Sequence, residues 1–188
     1  NPINNEAKAS NVTVLSTING SDITKYYKNG TQYSAVVVYS NGTPIVYKTV
    51  KLNINGVFYN RVTDENGTAS IAIRLLPGEY KASALFNGTK DHDKATANAT
   101  VTVKSTIFGN DTTLYFLNGT SYVAKFLDSD GNALANTTVN FNINGVFYDK
   151  VTDENGIAKL GIRLYPNNYI ITSSYNGLEV SNNIGVSS

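Results

Sequence analysis

The sequence contains no cysteine, methionine or tryptophan, and its single histidine is His92. The lack of cysteine excludes disulfide bonds, thiolate nucleophiles and zinc sites with sulfur ligands. One histidine leaves a catalytic triad or a histidine-rich metal site very little to work with. We therefore expect a protein that is not an enzyme and that holds neither a metal ion nor another cofactor.

Charge is scarce as well, because charged residues make up 15% of the 188 residues and the formal net charge is +1. Binding to nucleic-acid phosphates needs a concentrated basic face, so no nucleic-acid partner is expected. No apolar run approaches the about 20 residues of a membrane helix, so we expect no membrane span within this sequence. The chain starts at Asn1 with neither Met nor a signal segment, and we expect it to be part of a longer protein.

An internal repeat is the strongest feature of the sequence. Residues 51–88 return as residues 140–177 at a constant offset of 89, with 21 of 38 positions identical. The offset also holds upstream, where Asp22 corresponds to Asp111. We therefore expect two domains, residues 1–103 and residues 104–188. No linker rich in Gly, Ser or Pro separates them, so we expect a semi-rigid connection.

Apolar residues alternate with polar ones within each copy, which is the pattern of half-buried strands. The alternating runs are Tyr33–Ala35–Val37–Tyr39, Val50–Leu52–Ile54 and Ala69–Ile71–Ile73–Leu75 in the first copy and Tyr122–Ala124–Phe126, Val139–Phe141–Ile143 and Ala158–Leu160–Ile162–Leu164 in the second. Asn-Gly pairs between the runs are typical of tight hairpin turns. About seven short strands per copy predict an all-β fold of two tandem Ig-like β-sandwiches.

Two acidic segments have both a metal-binding and a structural interpretation. Asp64-Glu65-Asn66-Gly67 offers oxygen ligands for calcium, but the spacing of an EF-hand is missing, which favours a turn in which the Asp side chain bonds the backbone. Asp91-His92-Asp93 offers an imidazole and two carboxylates, but the second copy lacks this insertion. The simpler interpretation of the insertion is an exposed loop tip, and no metal site is predicted.

A covalent cross-link is the most specific chemical hypothesis. In some surface-exposed sandwich domains a lysine on the first strand condenses with an asparagine on the last, helped by a buried acid. Lys25 and Asn98 have this placement in the first copy. However, Leu114 replaces Lys25 in the second copy, and no acid stands out at an inward position. This favours an ordinary exposed Lys25, with the intramolecular isopeptide bond as the alternative.

Surface chemistry provides the remaining candidate sites. Some of five tyrosines should be exposed as ligand contacts, although cross-strand pairing explains them equally simply. These tyrosines are Tyr26, Tyr27, Tyr47, Tyr59 and Tyr148. Asn-x-Ser/Thr motifs offer possible glycosylation sites, although an Asn-rich composition also produces such triplets by chance. These motifs begin at Asn11, Asn19, Asn29, Asn41, Asn66, Asn87, Asn98, Asn110, Asn118 and Asn136.

The ordered motifs of the repeat resemble a known family. The motifs are Asn-Gly-Thr-x-Tyr, Asn-Ile-Asn-Gly-Val-Phe-Tyr, Val-Thr-Asp-Glu-Asn-Gly, Ile-Arg-Leu and Pro-x-x-Tyr, within residues 16–103 and 105–186. This pattern is similar to the bacterial-type Ig-like (Big) repeats of adhesin-like surface proteins from methanogenic archaea. The resemblance implies a secreted, repetitive cell-surface protein whose modules are not enzymes. It supplies no binding-residue motif.

Together these features lead us to expect an extracellular module for cell adhesion. The tandem repeats would form a stalk or present a binding surface. The expected partners are a protein or glycan on a host or neighbouring cell and further Ig-like repeats in the same chain. The alternative is a carbohydrate-binding module that uses exposed tyrosines.

Overall fold

The computed structural model describes residues 17–188, and every regular element in that range is a β-strand. Asn11, one of the predicted glycosylation sites, lies outside the described residues. No helix among residues 17–188 is long and apolar enough to cross a membrane. The predicted all-β fold is therefore confirmed.

Each copy of the repeat forms eight strands. Those of the first copy are β1 Ile18–Gly20, β2 Ile23–Tyr26, β3 Tyr33–Val37, β4 Thr49–Ile54, β5 Val57–Val62, β6 Thr68–Ile71, β7 Gly78–Phe86 and β8 Ala95–Lys104. Those of the second copy are β9 Ile107–Gly109, β10 Thr112–Tyr115, β11 Ser121–Phe126, β12 Thr138–Ile143, β13 Val146–Val151, β14 Ile157–Gly161, β15 Asn167–Tyr175 and β16 Leu178–Ser187.

The strands of each copy form one three-stranded and one five-stranded sheet. The strand orders are β1-β3-β6 and β2-β8-β7-β4-β5 in the first copy, and β14-β11-β9 and β10-β16-β15-β12-β13 in the second. Each pair of sheets makes a sandwich, as predicted. The count of eight strands rather than about seven arises because the first strand of each copy is split: β1 pairs with β3 in one sheet, and β2 pairs with β8 in the other.

The backbone divides into two compact units. The first comprises residues 17–21, Tyr33–Ile71 and Lys81–Ala99, and the second comprises Asp22–Gln32, Ala72–Tyr80 and Thr100–Ser188. Segments 22–32 and 72–80 of the first copy thus fall in the second unit. The boundary at residue 103 marks where the sequence repeats meet, and as a domain boundary it stays a prediction.

The core of each sandwich consists of the side chains that alternate inward. Tyr33, Ala35 and Val37 on β3 have no exposed surface, and Tyr122 and Phe126 on β11 are also buried. Burying a large apolar side chain contributes about 1.5–3 kcal/mol, so the core supplies most of the stabilisation of each sheet pair. The predicted inward-facing positions are buried except at the ends of three runs, where Tyr39, Leu75 and Leu164 are half-buried.

Short polar turns close the hairpins between the strands. Asn55 and Gly56 both have positive φ angles, of 52° and 81°, as a two-residue turn between twisted strands requires. In the turn before β6, the Asp64 carboxylate accepts hydrogen bonds from the backbone N–H groups of Asn66 (2.8 Å) and Thr68 (3.0 Å). The Asp64 carboxylate therefore acts as the turn acceptor that the sequence favoured over a calcium ligand.

The two glycines Gly67 and Gly42 provide a matched test of this packing. Both have positive φ angles, but a Cβ on Gly67 would lie 2.5 Å from the carbonyl oxygen of Val37, whereas a Cβ on Gly42 would meet open space. We expect Gly42→Ala to lower the free energy of unfolding by about 1 kcal/mol, because it adds only backbone strain. Gly67→Ala should cost at least about 1 kcal/mol more, because the Val37 backbone lies in a paired strand and cannot move away. Urea unfolding of both variants measures the difference, and equal losses would contradict this packing.

Candidate functional site

Lys25 is a buried charged residue, although the sequence favoured an exposed one. It lies on the edge strand β2 with 5% of its surface exposed. Its ammonium donates hydrogen bonds to the carbonyl oxygens of Asn29 (2.6 Å) and Ile73 (2.8 Å). Burial lowers the pKa of the Lys25 ammonium below its usual range. The expectation of exposure was wrong because the side chain points to the same face as the core residues, where the second copy has buried Leu114.

Asn98, the proposed cross-linking partner, lies elsewhere on β8. The Cα partner of Lys25 across the parallel pair is Val103, and Asn98 is exposed five residues earlier on β8. At about 3.3 Å per residue, this separates the two positions by about 17 Å along the strand. The structure does not bring Lys25 and Asn98 together, and the isopeptide bond stays a prediction.

A cavity of about 400 Å³ lies next to the Lys25 ammonium, lined by residues 27–31 and 72–76. The two carbonyl groups that Lys25 bonds belong to this lining. A carbonyl oxygen accepts a hydrogen bond but does not remove the lysine proton, so these partners do not activate the amine as a nucleophile. The arrangement ties segments 27–31 and 72–76 together, which is a structural role.

The predicted tyrosines have different degrees of exposure. Tyr47 is 69% exposed and Tyr59 is 37% exposed. Tyr26 and Tyr148 are half-buried, and Tyr27 is 9% exposed. The prediction that some of the five are exposed is confirmed, but their exposure does not identify a ligand.

The largest change from the sequence analysis concerns residues 26–29, which pack within the second compact unit. The Tyr27 hydroxyl donates to the carbonyl oxygen of Asn176 (3.3 Å), and the Asn29 side-chain amide donates to that of Ser129 (2.9 Å). The ring of Tyr26 lies on Gly131, where any Cβ would collide with it. The sequence signal for this cluster was the pair of tyrosines at the end of β2, Tyr26 and Tyr27, which the sequence analysis explained as ligand contacts or cross-strand pairs.

The asparagines of the glycosylation motifs fall into two classes. Asn29 is half-buried and uses its amide in the contact with Ser129. The others within residues 17–188 are exposed, namely Asn19, Asn41, Asn66, Asn87, Asn98, Asn110, Asn118 and Asn136. Exposure permits a glycan at these eight positions, and whether one is attached stays a prediction.

The insertion of the first copy is only partly an exposed loop tip. Asp91 and Asp93 are exposed, but His92 is half-buried. Its Nε2 atom lies 2.9 Å from the carbonyl oxygen of Val38, and its ring packs edge-on against Phe86 with centroids 5.1 Å apart. Within residues 17–188, no three His, Asp or Glu side chains are grouped in a way that would hold a metal ion.

A polar network distinguishes the second copy. The backbone N–H of Asn183 and the side chain of Asn182 donate to the Asp111 carboxylate, and these bonds hold its pKa below the usual range. The Tyr122 hydroxyl donates to the Asn182 side-chain oxygen (2.5 Å), and burial raises the pKa of Tyr122. The network connects the start of β10 to β16. Its backbone bond has a counterpart in the first copy, where the N–H of Thr100 donates to the Asp22 carboxylate (2.9 Å), but Ala99 takes the place of Asn182, so the side-chain bonds are specific to the second copy.

The edge strands β5 and β13 expose aromatic residues in both copies. Phe58 is 59% exposed and Phe147 is 69% exposed. The ammonium of Lys51 lies 4.8 Å from the centre of the Phe58 ring, and the Arg61 guanidinium lies 5.5 Å from that of Tyr59. Because successive side chains of a strand point to opposite faces, Phe58 and Tyr59 lie on opposite faces of the sheet edge, each beside a cation.

Comparisons with known proteins identify similar solved structures but no family. No protein-family model matches this sequence, and no curated protein is significantly similar to it. The fibronectin(III)-like modules of CbhA from Clostridium thermocellum are 17% identical with a TM-score of 0.35, covering 90% of this chain and 94% of theirs. The I9–I11 tandem of titin is 12% identical with a TM-score of 0.44, covering 92% of this chain and 64% of its own.

A calcium-stabilised, ice-binding adhesin from an Antarctic bacterium is also similar in structure. It is 16% identical with a TM-score of 0.35, and the match covers 92% of this chain but only 50% of the adhesin chain. This chain therefore spans half the length of that structure. At such low identities and TM-scores, the activities and partners of these proteins are not transferred to this chain.

Substitutions of Lys25 test its structural role. Lys25→Ala should lower the free energy of unfolding by about 3 kcal/mol, because it removes the buried alkyl chain and leaves two carbonyl groups without their donor. Lys25→Leu removes the same donor but keeps an apolar side chain at this position, as Leu114 does in the second copy, so it should lose about 2 kcal/mol less than Lys25→Ala. Urea unfolding gives both values, and an equal loss for the two variants would contradict this account.

The pH dependence of the same variants gives a second measurement. Because the pKa of folded Lys25 lies below the ordinary 10.5, the unfolded chain binds more protons at alkaline pH. The wild type should therefore gain stability relative to Lys25→Leu as the pH rises towards 10.5.

An intact mass lower by one ammonia would instead show that Lys25 is cross-linked.

Proposed function

We propose that this chain is a non-catalytic spacer of an adhesin-like cell-surface protein, built to hold a binding site away from the cell under tension. Its partners would be the neighbouring repeats of the same chain and, through the binding site it presents, a protein or glycan on another cell. The observation that carries the proposal is the way in which each copy is closed by its first and last strands.

Both copies close with a parallel strand pair. β2 pairs with β8 from Ile23↔Val101 to Tyr26↔Lys104, and β10 pairs with β16 from Thr112↔Ile184 to Tyr115↔Ser187. When the two ends of a copy are pulled apart, such strands slide in opposite directions along their length. Their evenly spaced hydrogen bonds are then loaded together rather than one after another. This geometry resists a force applied through the chain ends.

The connection between the copies supports the same proposal. β8 ends at Lys104 and β9 begins at Ile107, so only two residues separate the last strand of one copy from the first of the next. Within the second compact unit, residues 26–29 add the hydrogen bonds from Tyr27 to Asn176 and from Asn29 to Ser129. A short connection with additional contacts limits independent motion at this point.

Single-molecule pulling tests the proposed resistance to force. The chain has no cysteine, so pairs of introduced cysteines provide unique attachment points. Handles at Asn110→Cys and Ser188→Cys load the β10–β16 pair along the strands. Thr138 and Val151 are exposed cross-strand partners at the open end of the β12–β13 hairpin. Handles at Thr138→Cys and Val151→Cys break the hydrogen bonds between β12 and β13 one after another. We expect the first geometry to require the higher unfolding force.

Both double variants should unfold at the same urea concentration, which controls for damage by the substitutions. Equal forces in the two geometries, or a lower force through Asn110 and Ser188, would contradict the proposal.

Carbohydrate binding is the second candidate, and the exposed aromatic residues of β5 and β13 favour it. Phe58 corresponds to Phe147, so both copies present an exposed phenylalanine on the same face of the same edge strand. Aromatic faces stack on sugar rings, and exposed Phe is otherwise unfavourable.

A glycan array probed with the labelled chain tests this candidate. The double variant Phe58→Ala and Phe147→Ala should bind the glycan with an affinity at least about tenfold lower. The reason is that stacking contacts contribute about 1.4 kcal/mol or more. Tyr47→Ala is the matched control, since Tyr47 is exposed on a different segment. Binding that survives the double substitution, or no binding to any glycan, would reject this candidate.

A further inference from the structure

The two copies expose the segment after their parallel closing pair to different degrees. In the first copy, residues 26–29 are packed within the second compact unit, and Tyr27 is 9% exposed. The corresponding residues of the second copy are Tyr115–Asn118, among which Tyr115 is 67% exposed and Leu117 is 64% exposed. Phe116, the equivalent of Tyr27, is half-buried, and its ring lies against that of Tyr165 with centroids 5.3 Å apart.

The backbone establishes that these two segments are equivalent. Tyr26 pairs with Lys104 and Tyr115 pairs with Ser187 in the same parallel register. The next residue donates its N–H to the same position in both copies, from Tyr27 to Lys104 (2.9 Å) and from Phe116 to Ser187 (2.7 Å).

The exposed segment of the second copy is also more apolar than its equivalent. Leu117 replaces Lys28, and both residues have positive φ angles, 56° and 66°. A bulky residue with positive φ is strained, and an exposed leucine gains little in return while it faces water. Exposed apolar clusters of this kind mark interaction surfaces. Asn118 keeps the side-chain amide that Asn29 uses to contact Ser129.

The surface that receives residues 26–29 indicates what would cover Tyr115–Asn118. Tyr27 and Lys28 line a cavity of about 350 Å³ together with Leu127, Asp128 and Tyr175 of the second copy. Gly131 leaves room for the Tyr26 ring. This receiving surface consists of loop backbone and half-buried apolar side chains.

The first copy has the same receiving surface, but its insertion occupies it. Val38, Tyr39 and Phe86 correspond to Leu127, Asp128 and Tyr175 at the constant offset of 89. His92 bonds the carbonyl oxygen of Val38 and packs against the rings of Tyr39 and Phe86, with centroids 6.2 and 5.1 Å apart. The surface that accepts Tyr27 on the second copy is therefore covered by His92 on the first.

We propose that Tyr115–Asn118 is a docking surface for another module of the second copy's type, joined directly after Ser188. The occupant is a module without the insertion, because only such a module has an open receiving surface. Assembly would then be directional: modules add after the second copy, and the first copy is closed by His92. This inference rests on the proposed spacer function, since it concerns how spacer modules join.

A chain extended by one module tests the docking surface. Ser188 corresponds to Ser105, so a second copy of residues 106–188 fused after Ser188 repeats the natural junction. The added module carries Tyr115→Phe, so that the two otherwise identical segments are distinguished by mass. Hydroxyl-radical footprinting of the extended chain should then reduce labelling of the original Tyr115 to the level of Tyr26. Tyr165 is the internal control, because its equivalent Leu76 stays 59% exposed in the first copy. Unchanged labelling of Tyr115 would overturn the proposal.

Two glycine variants in the added module separate docking from general effects. Gly131→Ala in that module should restore the labelling of Tyr115, because a Cβ there collides with the docking ring. Gly145 also has a positive φ, but a Cβ there would meet open space, so Tyr115 should stay protected in the Gly145→Ala variant. Restored labelling by both variants, or by neither, would overturn the proposal.

The choice of module provides the remaining test. Adding residues 17–103, which carry His92, should leave Tyr115 as reactive as in the 188-residue chain.

Sedimentation of the 188-residue chain should show a monomer. A dimer that is abolished by Leu117→Ser would show that a second chain is the occupant, and it would overturn the proposal. The pulling experiment on Asn110 and Ser188 does not depend on this surface, so the two proposals fail independently.

Discussion

The burial of alternate side chains between two sheets is the interaction on which the rest of this structure depends. Tyr33, Ala35 and Val37 on β3, and their counterparts on β11, are removed from water because every second residue points inward. Once the sheets are packed, the turns between them are held in place, and the short polar loops can take special conformations. The parallel closing pairs also follow from this packing, because they join the first and last strands of each five-stranded sheet.

The two copies keep the same inward-facing positions but fill several of them with different residues, since buried Val37, Leu52 and Ala82 correspond to buried Phe126, Phe141 and Ile171. They also differ at their ends. Lys25 is buried where the second copy has Leu114, and the network around Asp111 uses Asn182 where the first copy has Ala99. The insertion around His92 is present in the first copy only. Different sets of apolar side chains can fill equivalent cores, so the fold is retained although core residues change, whereas the ends meet different neighbours. The functional differences between the modules are therefore concentrated at those ends.

The fold was predictable to a large extent, whereas the candidate sites were predictable only in part. The period of two in Val50–Leu52–Ile54 and the Asn55-Gly56 turn are local signals, and local signals are sufficient to place strands and hairpins. Lys25 was misjudged because its burial depends on which sheet β2 joins, and the split between β1 and β2 has no local signature. His92 and residues 26–29 were incompletely understood for the same reason, since their contacts involve residues distant in sequence.

The sequence by itself determined that the chain forms two copies of an all-β module, because periodicity and turn residues act within a few positions of one another. It also excluded chemistry that requires cysteine. Only the tertiary structure decided that Lys25 bonds two carbonyl groups, that His92 covers one surface, and that Tyr26 is half-buried while its equivalent Tyr115 is 67% exposed. The physical reason is that burial and hydrogen bonding depend on which distant segments meet, and identical local patterns lead to different environments when their neighbours differ.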